Sequence, residues 1–325
     1  MNINLISKHR NSLLAFAMLW VAVHHSYFPI TFKPFAFCIM TCGFGGVDMF
    51  LFLSSFGLYY AYKKNNDYLH FIKRRLLRVL PYTIPIFILY MFINDVSFID
   101  TLLYSFGLSI FFRRDLSFWF ISFILILYFV TPIYLKYFMK KPYLSTLVGS
   151  ILTIVICLLF DEYRKVYIWF RIIIYLLGFL VAYLNDQKSE KIKASHCWIS
   201  VGIMVIGWAM LYYEYHFISN GVKHVLPFVF IIPGLCLLIA WIIEKISFLQ
   251  KPLEFFGKYT LQFYMIHENL INLLYAHYGE LYIPGIKFDW LINFAGIILA
   301  LIIAIIYKKI VDFIIDSFSK RTICQ

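Results

Sequence analysis

With 325 residues, 62% of them hydrophobic and only 14% charged, and a mean hydropathy of +0.80, the chain is excluded from the ordinary soluble class, which runs nearer ~45–50% apolar and ~25% charged. Lipid offers no partner to an unpaired backbone group, so the fold is helical or a closed barrel. Apolar runs as continuous as Ile297–Tyr307 lack the alternation of barrel strands. They predict an all-α polytopic membrane protein with about ten transmembrane helices.

In chain order the expected spans fall near 12–31, 45–62, 80–96, 117–138, 143–160, 167–184, 198–215, 224–243, 259–276 and 288–307. The first apolar stretch, Leu13–Ile30, carries two histidines and is followed by no small-x-small site, so it is expected to be a retained span rather than a cleaved leader. Pro81 is expected in the first turn of the third span. Phe98–Phe112 is apolar but short for a crossing, and Asp100 interrupts its start. It is read as an interfacial or re-entrant helix on the outer side. Residues 1–309 are expected to form the transmembrane domain. Ile310–Gln325, which sets apolar Ile310, Val311, Phe313, Ile314, Ile315 and Phe318 against Asp312, Asp316 and Lys320, is expected to be an amphipathic helix on the cytoplasmic surface.

Charge sorts the loops. Lys8 and Arg10 precede the first span, and Lys63, Lys64, Lys73, Arg74, Arg75 and Arg78 follow the second. Lys136, Lys140 and Lys141 follow the fourth, Lys188, Lys191 and Lys193 the sixth, and Lys308 with Lys309 the tenth. Lys245, Lys251 and Lys258 lie between the eighth and ninth. Every second loop is basic, which predicts cytoplasmic termini, with Arg113–Arg114 and Arg164–Lys165 as exceptions. The net charge of +12 is thereby accounted for by topology, without nucleic acid. The six cysteines form no CxxC pair. Cys38 and Cys42 are spaced to allow a disulfide on an oxidising face, and two unpaired thiols is the plainer reading. No metal-ligand spacing or cofactor fingerprint is present in the sequence, so no metal and no permanently bound cofactor is expected.

Polar groups inside spans are costly and by default functional, the alternative being interhelical hydrogen bonding. His24 and His25 lie fourteen and fifteen residues after Arg10, which at ~1.5 Å per residue is ~21 Å from the cytoplasmic edge, in the outer half of the membrane. Asp48 on the next span reaches a similar depth. Arg171 sits a few residues into the sixth span, and His267 with Glu268 in the ninth. Arg74 and Arg78 share a helical face with Arg75 beside them. Such a cluster serves positive-inside topology and headgroup contact, and it also suits a polyphosphate, which guanidinium forks bind bidentately.

Taken together, these residues resemble the acyltransferase-3 family, the bacterial membrane O-acyltransferases of surface polysaccharides and lipid-linked sugars. Ala17 to Ser26, with His24 and His25, looks like the family's first helix, and the register puts its functional histidine on His25. Gly46-Val47-Asp48-Met49-Phe50-Leu51-Phe52-Leu53-Ser54-Ser55 is similar to the G-V-D-x-F-F-x-x-S-G motif, with Ser55 in place of the usual Gly. Arg75-Leu76-Leu77-Arg78-Val79-Leu80-Pro81 looks like the R-x-x-R-x-x-P turn. Phe118-Trp119-Phe120 with Tyr128 and Pro132, Arg171 before Leu177-Gly178, and Gly257 to His267 resemble later landmarks. Many members carry an Arg eleven residues before the histidine. That position is Leu14 here, with Arg10 one turn further back on roughly the same face.

The resemblance implies an O-acetyltransferase of the bacterial cytoplasmic membrane, with acetyl-CoA as donor substrate and a polysaccharide or lipid-linked sugar as acceptor. Its catalytic residues would be His25, with His24 secondary and Asp48 orienting the imidazole. Arg74, Arg75 and Arg78 would hold CoA, and Arg171, Trp119, His267 and Glu268 would line the acceptor. A transporter or flippase for a lipid-linked sugar is the alternative, in which the same polar groups would line a path. Such a protein has no need of a cytoplasmic CoA site.

Overall fold

The computed structural model describes residues 2–323 except 27, 29, 31, 95, 107, 109–110, 112–117, 160–166, 188–193, 218–224 and 279–287. Arg113, Arg114, Arg164, Lys165, Lys188, Lys191 and Lys193, which entered the reading of loop charge, lie outside the described residues. The helices are α1 (Asn4–Lys8), α2 (Arg10–His24), α3 (Lys33–Ala36), α4 (Gly45–Lys64), α5 (Tyr68–Asn94), α6 (Phe98–Ser105) and α7 (Trp119–Phe138). They continue with α8 (Pro142–Leu159), α9 (Ile172–Asp186), α10 (Ala194–Phe217), α11 (Phe228–Lys245), α12 (Ser247–Phe256), α13 (Thr260–Tyr278) and α14 (Phe288–Ile323). A π-helical turn, Phe37–Thr41, lies between α3 and α4. No strand occurs among the described residues. The chain is an all-α polytopic membrane protein.

Among the described residues, seven helices are long and apolar enough to cross a membrane by themselves: α5, α7, α8, α9 with the turn before it, α10, α11 and α14. Three of the expected spans, now α2, α4 and α13, fall short of that measure. α2 has only 15 residues, and α13 carries Gln262, His267, Glu268, Asn269 and Asn272. These three helices bear His24, Asp48, His267 and Glu268. Most of α2 and α4 is buried by protein, whereas α5 and α8 turn most of their surface outward. Polar side chains are affordable where neighbouring helices replace lipid.

Packing separates two compact units, residues 1–17, 45–72 and 126–257 in one and residues 18–44, 73–125 and 258–325 in the other. In the first, α4 lies along α9 so closely that a Cβ on Gly178 would stand 1.9 Å from Ser55 Oγ and 2.3 Å from the Phe52 carbonyl. Ser55, the departure from the family motif, is thus accommodated by donating to Phe52 O at 2.9 Å. Tyr59 and Lys63 both reach Asp186 at the far end of this pair. Arg10 opens α2, its Nε donating to Leu53 O at 2.8 Å and its guanidinium lying against Gly57. Leu14 is buried.

In the second unit α13 packs on α14, tied by Asn293 Nδ2 donating to Tyr275 OH at 3.0 Å. Phe118, at φ 57°, turns the chain into α7 from a cluster of Phe87, Tyr90 and Tyr104 rings. A bulky residue in the left-handed region is unusual and marks a fixed backbone position, here directly before Trp119.

One expectation at a helix end is corrected. α5 begins at Tyr68 with Asp67 Oδ1 accepting from His70 N at 2.6 Å, so the helix is capped well before Pro81, which lies inside it. The residues from Ile310 onward are helical and continue α14 to Ile323, with no Gly or Pro in the run. α6 spans eight residues, about 12 Å by rise, too short to cross.

Candidate functional site

Helix α2 ends at His24, and His25 occupies the turn beyond, its N–H still bonded to Val21 O at 3.1 Å. Ser26 Oγ donates back to Ala22 O at 2.6 Å. The end of α2 is held by the π-helical turn: Trp20 Nε1 donates to Cys38 O at 3.2 Å and Ile39 O at 3.1 Å, and His24 Nδ1 bonds Met40 O. Gly43 permits this approach, because a Cβ there would lie 2.5 Å from His24 Cβ and 2.7 Å from Trp20 O. π-helical turns offer carbonyls off the regular ladder and recur at functional sites.

His24 and His25 diverge as neighbouring residues must, with ring centroids 5.2 Å apart. His25 Nδ1 lies 3.1 Å from His267 Nε2 and 3.6 Å from Glu268 Oε2. The His25 and His267 rings are 12° from parallel and meet edge to edge through these nitrogens, and the Phe263 ring is 8° from parallel to His267 with centroids 5.3 Å apart. His267 is wholly buried, and its Nδ1 lies 3.1 Å from Phe263 O and 3.0 Å from Tyr264 O. The His25 side chain, 27% exposed, and that of Glu268, 55% exposed, open outward, and His24 is half-buried. The structure therefore brings together His24, His25, His267 and Glu268, four of the residues singled out by sequence. Trp119 is linked to them through rings, Phe120 at 6.0 Å, Phe120 to Tyr264 at 5.4 Å, and Tyr264 to His267 at 6.1 Å.

Asp48 and Arg171 form a different arrangement in the other unit. Arg171 Nη1 donates to Asp48 Oδ2 and Nη2 to Tyr167 OH at 2.6 Å, with the Tyr167 ring centroid 4.6 Å from the guanidinium carbon. Both charged side chains have no exposed surface. Asp48 stands in the first turn of α4, behind Gly45, where a Cβ would meet the Phe228 ring at 2.1 Å. The carboxylate expected to orient His25 is thus engaged with Arg171, and the carboxylate beside His25 is Glu268.

Arg74, Arg75 and Arg78 ride on α5, Arg74 and Arg78 exposed and Arg75 half-buried. One turn further on, Tyr82 OH donates to Asp312 and its carbonyl accepts from Tyr307 OH at 2.7 Å, fixing α5 against α14. Pro81 removes the N–H that would bond Leu77 O, and Pro85 the one that would bond Pro81 O. Among the described residues no group of His, Cys, Asp and Glu is arranged to hold a metal ion. The five described cysteines, Cys38 and Cys42 included, form no disulfide. Gly43 and the Met40 carbonyl were not singled out by sequence, though the glycine-rich Gly43-Phe44-Gly45-Gly46 run was the available signal.

A family model described as an acyltransferase domain, acyltransferase 3, matches residues 13–309, nearly the whole chain. Neither a curated protein nor a solved structure matches it.

Proposed function

Since the chain belongs to the acyltransferase-3 family and is a membrane acyltransferase, we propose that it is an O-acetyltransferase, moving an acetyl group from cytoplasmic acetyl-CoA to a sugar hydroxyl of a surface polysaccharide or lipid-linked glycan. His25 is the base. The observation that carries this reading is a partly exposed imidazole whose Nδ1 faces both a buried histidine and a carboxylate, just past the end of the helix whose register matches the family's histidine.

The step balances as a direct transfer. The acceptor O–H bond breaks as His25 takes the proton, the oxygen bonds to the thioester carbonyl carbon, and the C–S bond breaks. The imidazolium then returns its proton to the CoA thiolate. Glu268, 3.6 Å away, favours the cationic ring while it holds that proton. Trp119 offers an aromatic face to a sugar ring. Arg74, Arg75 and Arg78 suit the phosphates of CoA, since planar guanidinium forks match phosphate oxygens in pairs. The basic loops support cytoplasmic termini in a bacterial cytoplasmic membrane, which puts that cluster on the donor's side.

The test is mass spectrometry of surface polysaccharide from wild-type, deletion and His25→Ala strains, together with thermal stability of the solubilised protein with and without CoA. Loss of an acetyl increment in both mutant strains and stabilisation by CoA are expected. Unchanged polysaccharide with no response to CoA would favour a transporter of lipid-linked sugar instead.

A further inference from the structure

The contacts around His267 dictate more than proximity. Its Nδ1 faces two backbone carbonyls, Phe263 O and Tyr264 O, at 3.1 and 3.0 Å. Carbonyls only accept, so Nδ1 carries the proton. A neutral imidazole has one N–H, and burial of the whole side chain disfavours the doubly protonated cation. His267 Nε2 is therefore a bare acceptor, and it points at His25 Nδ1 from 3.1 Å. Two bare nitrogens would repel at that distance, so His25 Nδ1 carries a proton and donates it. Glu268 Oε2 lies on the same side of the His25 ring and reinforces the assignment.

We propose that His267 is a positioning residue which fixes His25 in the Nδ1–H tautomer, leaving His25 Nε2 as the lone pair that receives the acceptor's proton. Which ring nitrogen is free is set by the hydrogen bond the other one makes. The acceptor at the end of the relay is a helix: the carbonyls of residues 263 and 264 are held by α13 itself, so the tautomer is written into backbone geometry. Phe263 and His267, nearly parallel to each other and to His25, keep the rings aligned while the proton moves.

The inference rests on His25 as the base, and two measurements keep the failures apart. The first is nitrogen NMR of the protein labelled with 15N-histidine, with the His25 resonances assigned by their loss in His25→Ala. A protonated Nδ1 and an unprotonated Nε2 are expected at neutral pH. The opposite tautomer overturns the proposal whatever the activity shows. The second compares His267→Gln, whose amide oxygen can still accept from His25, with His267→Phe, which keeps a stacked ring but accepts nothing. Acyl transfer is expected to fall ~10–100-fold in kcat in His267→Phe, with CoA affinity unchanged and the NMR signature of His25 reverting to a mixture of tautomers. His267→Gln should recover much of the rate and of the signature. Equal loss in both variants with an unaltered His25 signature would overturn the positioning role. If the wild-type tautomer is as stated but His25→Ala still transfers acetyl groups, the assignment of the base fails and the tautomer stands.

Discussion

Replacing Asp48 by Asn removes the negative partner of a guanidinium that has no exposed surface. The side chain keeps its size, so the loss is electrostatic: Arg171 retains its bond to Tyr167 OH but carries its charge into an uncompensated interior. Breaking one partner of a buried ion pair costs about 3–5 kcal/mol, whereas replacing both with apolar groups of similar volume is often near neutral. Asp48→Asn and Arg171→Met should each destabilise by about that amount. Asp48→Leu with Arg171→Met together should cost much less than the sum of two single losses. The assay is reversible unfolding of the purified protein in mixed detergent micelles, followed by helical circular dichroism. Full additivity in the double variant would show that the two side chains are not energetically coupled, and the account of this pair as a tie between α4 and the start of α9 would fall. Stability of Asp48→Asn equal to wild type would refute it outright.

Three further outcomes are expected. His25→Ala should lose transfer by ~10²–10⁴-fold while binding CoA normally, and His24→Ala, whose ring serves to anchor the π-helical turn at Met40 O, should keep substantial activity; the reverse result in a transfer assay would shift the base by one residue. Arg75→Gln with Arg78→Gln should weaken CoA binding in a calorimetric titration, with Lys replacements restoring it only in part because a point charge cannot reproduce a guanidinium fork. Gly178→Ala should destabilise the protein severely, because its Cβ would need space already held by Ser55 Oγ and the Phe52 carbonyl, and a pairing with Ser55→Gly should relieve only the side-chain part of that clash, as thermal unfolding would report.

The helical class was legible from hydropathy, because lipid imposes one solution on the backbone wherever a long apolar run occurs. Helices were found where all ten spans were expected, and three of them proved less apolar than a lone crossing helix, since their cover is protein. Pro81 was misread because proline is common in a first turn, while the true start is signalled by Asp67, fourteen residues earlier. At the site, the individual residues were visible as polar groups in costly places, but their partners were not. Asp48 was paired with His25 by closeness in sequence, whereas Glu268 beside His25 is 243 positions away, a separation no periodicity can bridge. Gly43 was hidden for the opposite reason, being one glycine among several, with a role that exists only where the Trp20 carbonyl comes near.

The length of α14 has a practical outcome. Its 36 residues extend about 54 Å without a break, against a hydrocarbon layer of about 30 Å, so several of its turns must emerge into water. The emergent portion is not a loose strand, because Asp312 is bonded to Tyr82 and to Lys308 and so is clamped to α5 at the point of exit. A helix that leaves the bilayer already braced is a ready mount for imaging. A soluble marker joined in helical phase after Ile323 would inherit the direction of α14, giving electron microscopy an alignment landmark.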